Sequence, residues 1–172
     1  AIYIQLGSLK KAAELNDLAI KYLKESDKKR TLAYIYNNTA VINYKLENFT
    51  KAEDSVLQAS RLYQEVDDQK GRIRTINTYG SLLKKNGDTL KAIDKYKEGI
   101  NQCKKLSFTQ VEAVAHNNLG VTYMQLFNYE KAIKHLNKAL SLLQEINYQY
   151  GIANTYHSLG ELYFKMEQYD KA

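Results

Sequence analysis

The sequence predicts an all-α protein made of stacked helical hairpins, and three observations support this prediction. The dipeptide Lys-Ala recurs every 40 residues, at Lys11-Ala12, Lys51-Ala52, Lys91-Ala92, Lys131-Ala132 and Lys171-Ala172. Glycine recurs at the same spacing, with alanine in the equivalent earlier place, at Ala40, Gly80, Gly120 and Gly160. The 172 residues include no proline and only 8 glycines, a composition that favours helices. A fixed period of this length is typical of repeats that bury their apolar faces against their neighbours.

Each repeat contains two stretches of apolar and small residues at helical spacing. In one repeat the first stretch comprises Leu119, Gly120, Tyr123 and Leu126, and the second comprises Ala132, Leu136, Ala139 and Leu143. Steps of three and four residues place each set on one stripe of a helix. The predicted helices are 9–25, 31–46, 49–66, 70–86, 89–105, 109–126, 129–146 and 149–167, with a partial helix before residue 7.

The junction between the two helices of a repeat also recurs. Residues that favour the N-cap precede the second helix at Ser8, Asn48, Asp88 and Asn128, and only Gln168 departs from the pattern. The recurring alanines and glycines are expected to let the paired helices approach closely. We therefore expect Ala132→Leu to overpack the interface, with a cost of about 1–3 kcal/mol.

Composition narrows the functional class. The net charge is +6, and the basic residues indicate a solvated helix surface more than a nucleic-acid patch. No apolar run approaches the ~18 residues of a membrane span, and residues 1–6 lack the basic region and cleavage site of a signal peptide. Cys103 is the only cysteine, which excludes an internal disulfide and agrees with a cytoplasmic location. The chain begins and ends inside a repeat, so we interpret it as a fragment of a larger protein.

These residues resemble the tetratricopeptide repeat. The resemblance rests on Leu119-Gly120-x-x-Tyr123 with Tyr129-x-x-Ala132, Leu136 and Ala139, and on Leu159-Gly160-x-x-Tyr163 with Tyr169-x-x-Ala172. The closing proline is missing and the period is 40 rather than 34, which implies helices about three residues longer. Repeats of this length resemble those of bacterial peptide-sensing regulators and of adaptors such as kinesin light chain.

The resemblance implies a right-handed α-α superhelix of four to five hairpins, in a single repeat domain over 1–172. Its units are 1–32 (partial), 33–72, 73–112, 113–152 and 153–172 (partial). It further implies a non-catalytic scaffold that holds a peptide or protein segment in a concave groove lined by the first helices. By the same resemblance, we expect this chain to be the sensor or adaptor part of a larger regulatory protein.

Asparagines are the leading candidates for the groove. Asn38 and Asn118 fall where family members often place an asparagine that binds the ligand backbone, and Asn37, Asn77 and Asn117 form a second ladder. An amide both donates and accepts, and asparagine disfavours helix interiors, so these pairs need an explanation. A solvated face is the alternative. Further candidates lie one turn away, at Tyr34, Val41, Lys45, Arg74, Ser81, Lys85, Val114, Val121, Gln125, Asn154, His157, Glu161 and Lys165.

The basic candidates suggest the chemistry of the ligand. Arg74 and the lysines suit an acidic side chain or a C-terminal carboxylate. Only Arg74 fits the two-carboxylate clamp of chaperone-binding relatives, so a segment of mixed apolar and acidic character is the stronger candidate. A structural alternative is self-association through exposed apolar ends, near Ile2, Ile4 and Leu6 or near Tyr163 and Phe164.

No constellation in the sequence indicates an enzyme or a cofactor. The histidines His116, His135 and His157 have no zinc-ligand spacing, and His135 is expected to lie away from the other two. Cys103 has no signature of a nucleophile. Gly80, Gly87 and Gly99 form no phosphate-binding loop. A sensor region that precedes a kinase or DNA-binding domain is a more plausible setting than an enzyme.

Overall fold

The computed structural model describes residues 2–170, with side chains from 7 to 167, and all of its secondary structure is helical. The copy of the repeat at Tyr169, Lys171 and Ala172 lies outside the described side chains, as do the side chains of Ile2, Ile4, Leu6 and Gln168. The helices in this part of the chain are α1 (Ile2–Leu23), α2 (Lys29–Lys45), α3 (Phe49–Glu65), α4 (Gln69–Lys85), α5 (Thr89–Leu106), α6 (Thr109–Gln125), α7 (Tyr129–Glu145) and α8 (Gln149–Asp170). The all-α prediction is confirmed, and the bounds of α2 to α7 agree with the predicted ones to within two residues.

The turns share one backbone geometry and recur every 20 residues. A residue with positive φ occupies each of the six turns that follow α2 to α7, at Glu47, Asp67, Gly87, Ser107, Phe127 and Asn147, whereas the turn between α1 and α2 has none. In several turns the amide of the following residue bonds the carbonyl five positions earlier, as Asn48 does to Asn43 at 2.9 Å and Asn128 does to Tyr123 at 3.0 Å. This left-handed C-terminal motif satisfies carbonyls that the helix end leaves without partners. The sequence does not predict this motif, because the glycine that usually marks it is present at only one of the six positions.

The predicted N-caps have mixed outcomes. Asn48, Asp88 and Asn128 do precede helices, but only Asn128 caps with its side chain, accepting from the Lys131 amide at 3.2 Å. The Asn48 amide instead donates to Asn43 Oδ1 at 3.4 Å. Asp68, which the sequence did not single out, accepts from the Gly71 amide at 2.9 Å. Competing side-chain partners therefore decide which of the favourable residues acts as a cap.

The predicted break at Ser8 is wrong, because α1 runs without interruption from Ile2 to Leu23. The continuous helix keeps the backbone hydrogen bonds around Gly7 and Ser8 that a turn would break. Likewise, α8 continues to Asp170, past the predicted end at 167.

The chain divides into two compact units, Ala1–Gly87 and Asp88–Ala172. The division falls between the two helices of the predicted 73–112 repeat, and a single domain over 1–172 stays a prediction. In the first unit, α2 packs against α1, α3 and α4. Its core joins Ala40, Ala52, Val56 and Leu82, with the rings of Tyr44 and Tyr79 packed against them.

In the second unit, α6 packs against α5, α7 and α8. Ala132 is fully buried, as predicted for the close contact between paired helices. A Cβ at Gly120 would lie 2.7 Å from Leu136 Cγ, which explains why glycine stands there. Gly160 does not have the predicted close-contact role in the described structure, because a Cβ there would meet nothing within 4 Å.

Candidate functional site

The groove candidates of the first unit lie on two helices that contact each other, α2 and α4. We call this set the α2–α4 face; it comprises Tyr34, Asn37, Asn38, Val41, Lys45, Arg74, Asn77, Ser81 and Lys85. Tyr34 and Val41 are exposed apolar side chains, at 51% and 37%. Lys45 and Arg74 are exposed cations that make no ion pair within the described residues. Lys85 is partly neutralised by Glu47, whose Oε1 lies 3.4 Å from Lys85 Nζ.

The asparagines of this face differ in accessibility. Asn37 is half-buried, and its Oδ1 accepts a hydrogen bond from the Thr78 hydroxyl at 3.1 Å, which ties α2 to α4. Asn77 is buried, at 5%, which leaves little of its amide for a ligand. Ser81 donates to the Asn77 carbonyl of its own helix at 3.2 Å. Asn38 is half-buried, and its side-chain amide makes no hydrogen bond with the described part of the chain.

The groove candidates of the second unit lie on α6 and α8, which also contact each other. We call this set the α6–α8 face; it comprises Val114, Asn117, Asn118, Val121, Gln125, Asn154, His157, Glu161 and Lys165. Val114 and Gln125 are exposed, Asn118 and Val121 are half-buried, and the four α8 residues are exposed. The Asn118 amide, like that of Asn38, makes no hydrogen bond with the described residues.

Asn117 is the second-unit counterpart of Asn37. Its Oδ1 is buried and has no hydrogen-bond partner among the described residues. Ser158 occupies the repeat position of Thr78, and both hydroxyls lie within hydrogen-bond distance of the carbonyl four residues earlier, Arg74 for Thr78 at 3.1 Å and Asn154 for Ser158 at 3.2 Å. Only Thr78 also bonds the asparagine of the preceding first helix. The tie between first helices seen at Asn37 is therefore not repeated at Asn117.

A polar cluster that the sequence did not predict lies between α6 and α7. His116 Nδ1 and His135 Nδ1 are 2.9 Å apart, and the Tyr123 ring stacks on His135 with centroids 5.6 Å apart. Glu112 is buried, and its Oε1 lies 3.7 Å from His116 Nε2. The expectation that His135 lies away from the other histidines is therefore wrong. His116 lies one helical turn before Gly120, on the stripe that faces α7, and this spacing was a usable signal.

Burial keeps His116 and the nearby thiol of Cys103 neutral. Burial, followed by the charges of His135, Lys104 and Lys138, lowers the pKa of His116 to about 4. Burial also raises the pKa of the Cys103 thiol to about 11, with a smaller contribution from the Glu112 carboxylate. A neutral, fully buried thiol is a packing group rather than a nucleophile. In the part of the chain that the structure describes, no three metal-ligating side chains come together.

Comparison with known proteins identifies the repeat. The family described as "Tetratricopeptide repeat" matches residues 111–172. This match covers most of α6 and all of α7 and α8. Tetratricopeptide repeats are typically non-catalytic scaffolds for protein interaction. The family does not fix the 40-residue subclass, which stays a prediction. A comparison with curated protein sequences gives no match.

Solved structures of three other proteins share the fold over nearly the whole chain. A Rap protein complexed with Competence and Sporulation Factor has a TM-score of 0.84 and 19% identity, and the match covers 98% of this chain and 47% of that one. BtubC (BKLC) from P. vanneervenii has a TM-score of 0.71 and 22% identity, covering 100% and 69%. A signal transduction ATPase with a tetratricopeptide repeat sensor, from Pyrococcus horikoshii, has a TM-score of 0.72 and 20% identity, covering 99% and 26%.

These matches confirm the helical-repeat fold class. The chain spans about half the length of the Rap protein and about a quarter of the ATPase. Within the residues described, no helix is both long and apolar enough to cross a membrane.

Proposed function

We propose that this chain is a non-catalytic binding scaffold, and that each unit holds a peptide or protein segment against its own face, the α2–α4 face in the first unit and the α6–α8 face in the second. The observation that carries the proposal is the state of Asn38 and Asn118. Both lie in helix interiors, which asparagine disfavours, and neither side-chain amide is used within the described structure. An amide held at the surface of a packed helix can donate to one ligand peptide group and accept from another.

The ligand that suits these faces is a segment of mixed apolar and acidic character. Lys45 and Arg74 offer charge-assisted hydrogen bonds to carboxylates, and a guanidinium can grip a carboxylate with two bonds. Tyr34, Val41 and Val114 offer exposed apolar surface for the remaining side chains. Because the helices are already packed, the receptor side loses little freedom on binding.

The solved relatives support this proposal. One is a Rap protein in complex with Competence and Sporulation Factor, and another carries its repeats as a sensor. By analogy, we infer that this chain is the cytoplasmic sensor or adaptor part of a larger regulatory protein. Neither nucleic acid nor a membrane is part of the proposal.

A selection from random peptides tests the proposal, because it requires no assumption about the sequence of the ligand. Displayed random dodecapeptides are selected on the chain, and the affinity of the enriched peptides is then measured by fluorescence anisotropy. We expect enrichment of acidic and apolar residues, and weaker binding to Asn38→Ala and Asn118→Ala with unchanged circular dichroism. Asn101→Ala and Asn137→Ala, at exposed positions on second helices, are the matched controls. Equal affinity for all four variants would remove the asparagines from the mechanism.

Self-association is the second candidate function, and the outer face of α8 favours it. Tyr156, Tyr163 and Phe164 are exposed at 53%, 50% and 63%, and Gly160 between them has open space around it. In α6 the equivalent glycine packs against the second helix of its own hairpin, so a further helix would fit this face of α8, and a helix from another copy of the chain is one such occupant. We expect sedimentation equilibrium to show concentration-dependent mass that Tyr163→Lys abolishes. A constant monomer mass up to millimolar concentration would exclude this candidate.

A further inference from the structure

The contact between His116 and His135 constrains where their hydrogens lie. The two Nδ1 atoms, on α6 and α7, are 2.9 Å apart, which is hydrogen-bond distance. One of these atoms must donate and the other must accept, so only one of the two carries a hydrogen. The two rings therefore hold different tautomers.

Glu112 decides which ring accepts. Its Oε1 lies 3.7 Å from His116 Nε2, one helical turn away, and both side chains are buried. A hydrogen on His116 Nε2 faces the carboxylate favourably, whereas a bare lone pair there would face another acceptor in a poorly solvated place. His116 is thus the Nε2–H tautomer and accepts at Nδ1, and His135 donates from its Nδ1–H.

We propose that this hydrogen bond is an acid-sensitive latch between α6 and α7, made while His116 is neutral and lost when His116 takes up a proton. With Nε2 already carrying a hydrogen, the only lone pair left on His116 is the Nδ1 pair that holds the bond. A proton added there would place two N–H groups 2.9 Å apart. The contact could then persist only if His135 moved its own hydrogen from Nδ1 to Nε2, and the pair would hold a positive charge in a poorly solvated place whose nearby charges are mostly lysines. Protonation therefore disfavours the closed α6–α7 contact.

The charged groups around the pair oppose its protonation. Lys97 and Lys104 of α5 face it from one side, and Lys134 and Lys138 of α7 from another. Glu112 of α6 is the carboxylate that favours a positive charge, and the uncharged Tyr123 ring covers His135. Burial is the largest cause for both rings, and it lowers the pKa of His135 as well as that of His116.

The sign of the pH effect follows directly. An unfolded histidine takes up its proton near pH 6.5, whereas folded His116 does so only at about 4. Between these values the unfolded chain binds more protons than the folded one, so acid favours unfolding. The latch therefore contributes its full stability above about pH 6.5 and loses it progressively as the pH falls towards 4.

The latch also has a consequence for binding, which rests on the proposed function. His116 is adjacent to Asn117 and two residues from Asn118 on α6, so movement of this helix displaces the α6–α8 face. Ligand affinity at this face is then expected to fall in acid. The experiments below follow the histidines and the folded state without a ligand, so they test the latch even if the proposed function is wrong.

Nuclear magnetic resonance tests the tautomers in the unmodified chain. Long-range ¹H–¹⁵N correlation at pH 7.5 distinguishes a protonated from a bare nitrogen in each imidazole. We expect His135 as the Nδ1–H tautomer and His116 as the Nε2–H tautomer. The same tautomer on both rings, the opposite assignment, or a charged ring at this pH would overturn the proposal.

A pH series of urea unfolding tests the latch itself. The substitutions are taken from the α2–α3 hairpin of the same chain, where Tyr36 and Ser55 occupy the positions equivalent to His116 and His135. We expect the unfolding constant of the unmodified chain to rise between pH 6.5 and 4, by up to about tenfold per pH unit for each histidine. The His116→Tyr/His135→Ser variant should lose this part of the rise, and His157→Asn, at an exposed position, should retain it. An unchanged pH dependence in the double variant would overturn the latch.

Discussion

The hydroxyl of Thr78 donates a hydrogen bond to Asn37 Oδ1 at 3.1 Å and so joins α4 to α2. The asparagine that the sequence assigned to ligand binding therefore has a structural partner in the next repeat. Its acceptor is used inside the protein, and only its amide hydrogens are left for a ligand. In contrast, neither the side-chain oxygen nor the side-chain nitrogen of Asn38 and Asn118 makes a hydrogen bond within the described residues. The proposed function rests on these two residues for that reason.

Removal of this tie is expected to destabilise the first unit. Thr78→Val keeps the shape of the side chain but removes the donor and leaves Asn37 Oδ1 without its partner. A lost hydrogen bond of this kind costs about 0.5–1.5 kcal/mol. Urea unfolding followed by circular dichroism measures the change. Thr50→Val, at an exposed position on α3, is the control and should leave stability nearly unchanged. Equal stability of the two variants would show that the bond contributes nothing.

Two glycines at the same repeat position are expected to respond in opposite ways to alanine. At Gly120 the new Cβ would lie 2.7 Å from Leu136 Cγ and 3.2 Å from the Leu136 amide nitrogen. Overpacking of this kind costs about 1–3 kcal/mol. At Gly160 the new methyl meets nothing within 4 Å, so the better helix propensity of alanine should stabilise α8 by roughly 0.5–1 kcal/mol. Unfolding free energies of both variants measure the difference, and changes of the same sign would contradict the packing.

Gly7 and Gly87 also share a repeat position but differ in backbone conformation. Gly87 has φ +89° in the turn after α4, whereas Gly7 lies within α1 with no atom near its missing Cβ. Gly87→Ala is therefore expected to cost about 1–2 kcal/mol, because a side chain disfavours positive φ. Gly7→Ala should instead stabilise the helix by up to about 1 kcal/mol. Melting temperatures report both changes, and destabilisation by Gly7→Ala would indicate a turn at residue 7 after all.

Cys103 is expected to report on the opening of the second unit. With a thiol pKa of about 11 and full burial, its reactive thiolate is scarce in the folded chain at pH 8. Since an unfolded thiol ionises near its ordinary pKa of about 8.5, ionisation alone should slow labelling by roughly a hundredfold in the folded state. The rate of reaction with Ellman's reagent, with and without urea, measures this ratio. Similar rates in both conditions would contradict the burial of Cys103.

The repeat spacing of the sequence was enough to predict several features of the binding faces. The 40-residue period placed Asn38 and Asn118 on first helices and gave the bounds of six helices to within two residues. Side-chain partners were not readable in the same way. The bond from Thr78 to Asn37 and the contact of His116 with His135 join residues 41 and 19 positions apart. Such pairs depend on how two helices are rotated against each other, which the periodicity of either helix leaves open.

The sequence by itself determined that this chain is a series of helical hairpins, because apolar and small residues repeat with the period of a helix and again with the period of a hairpin. Tertiary structure decided where the chain reverses and which polar groups become buried. Ser8 has the residue type of a cap yet lies inside α1, because a side chain that can cap a helix does not by itself break one. Glu112 and His116 are polar yet buried, and His135 is half-buried beside them, because the approach of α6 and α7 removes water from the space between these helices.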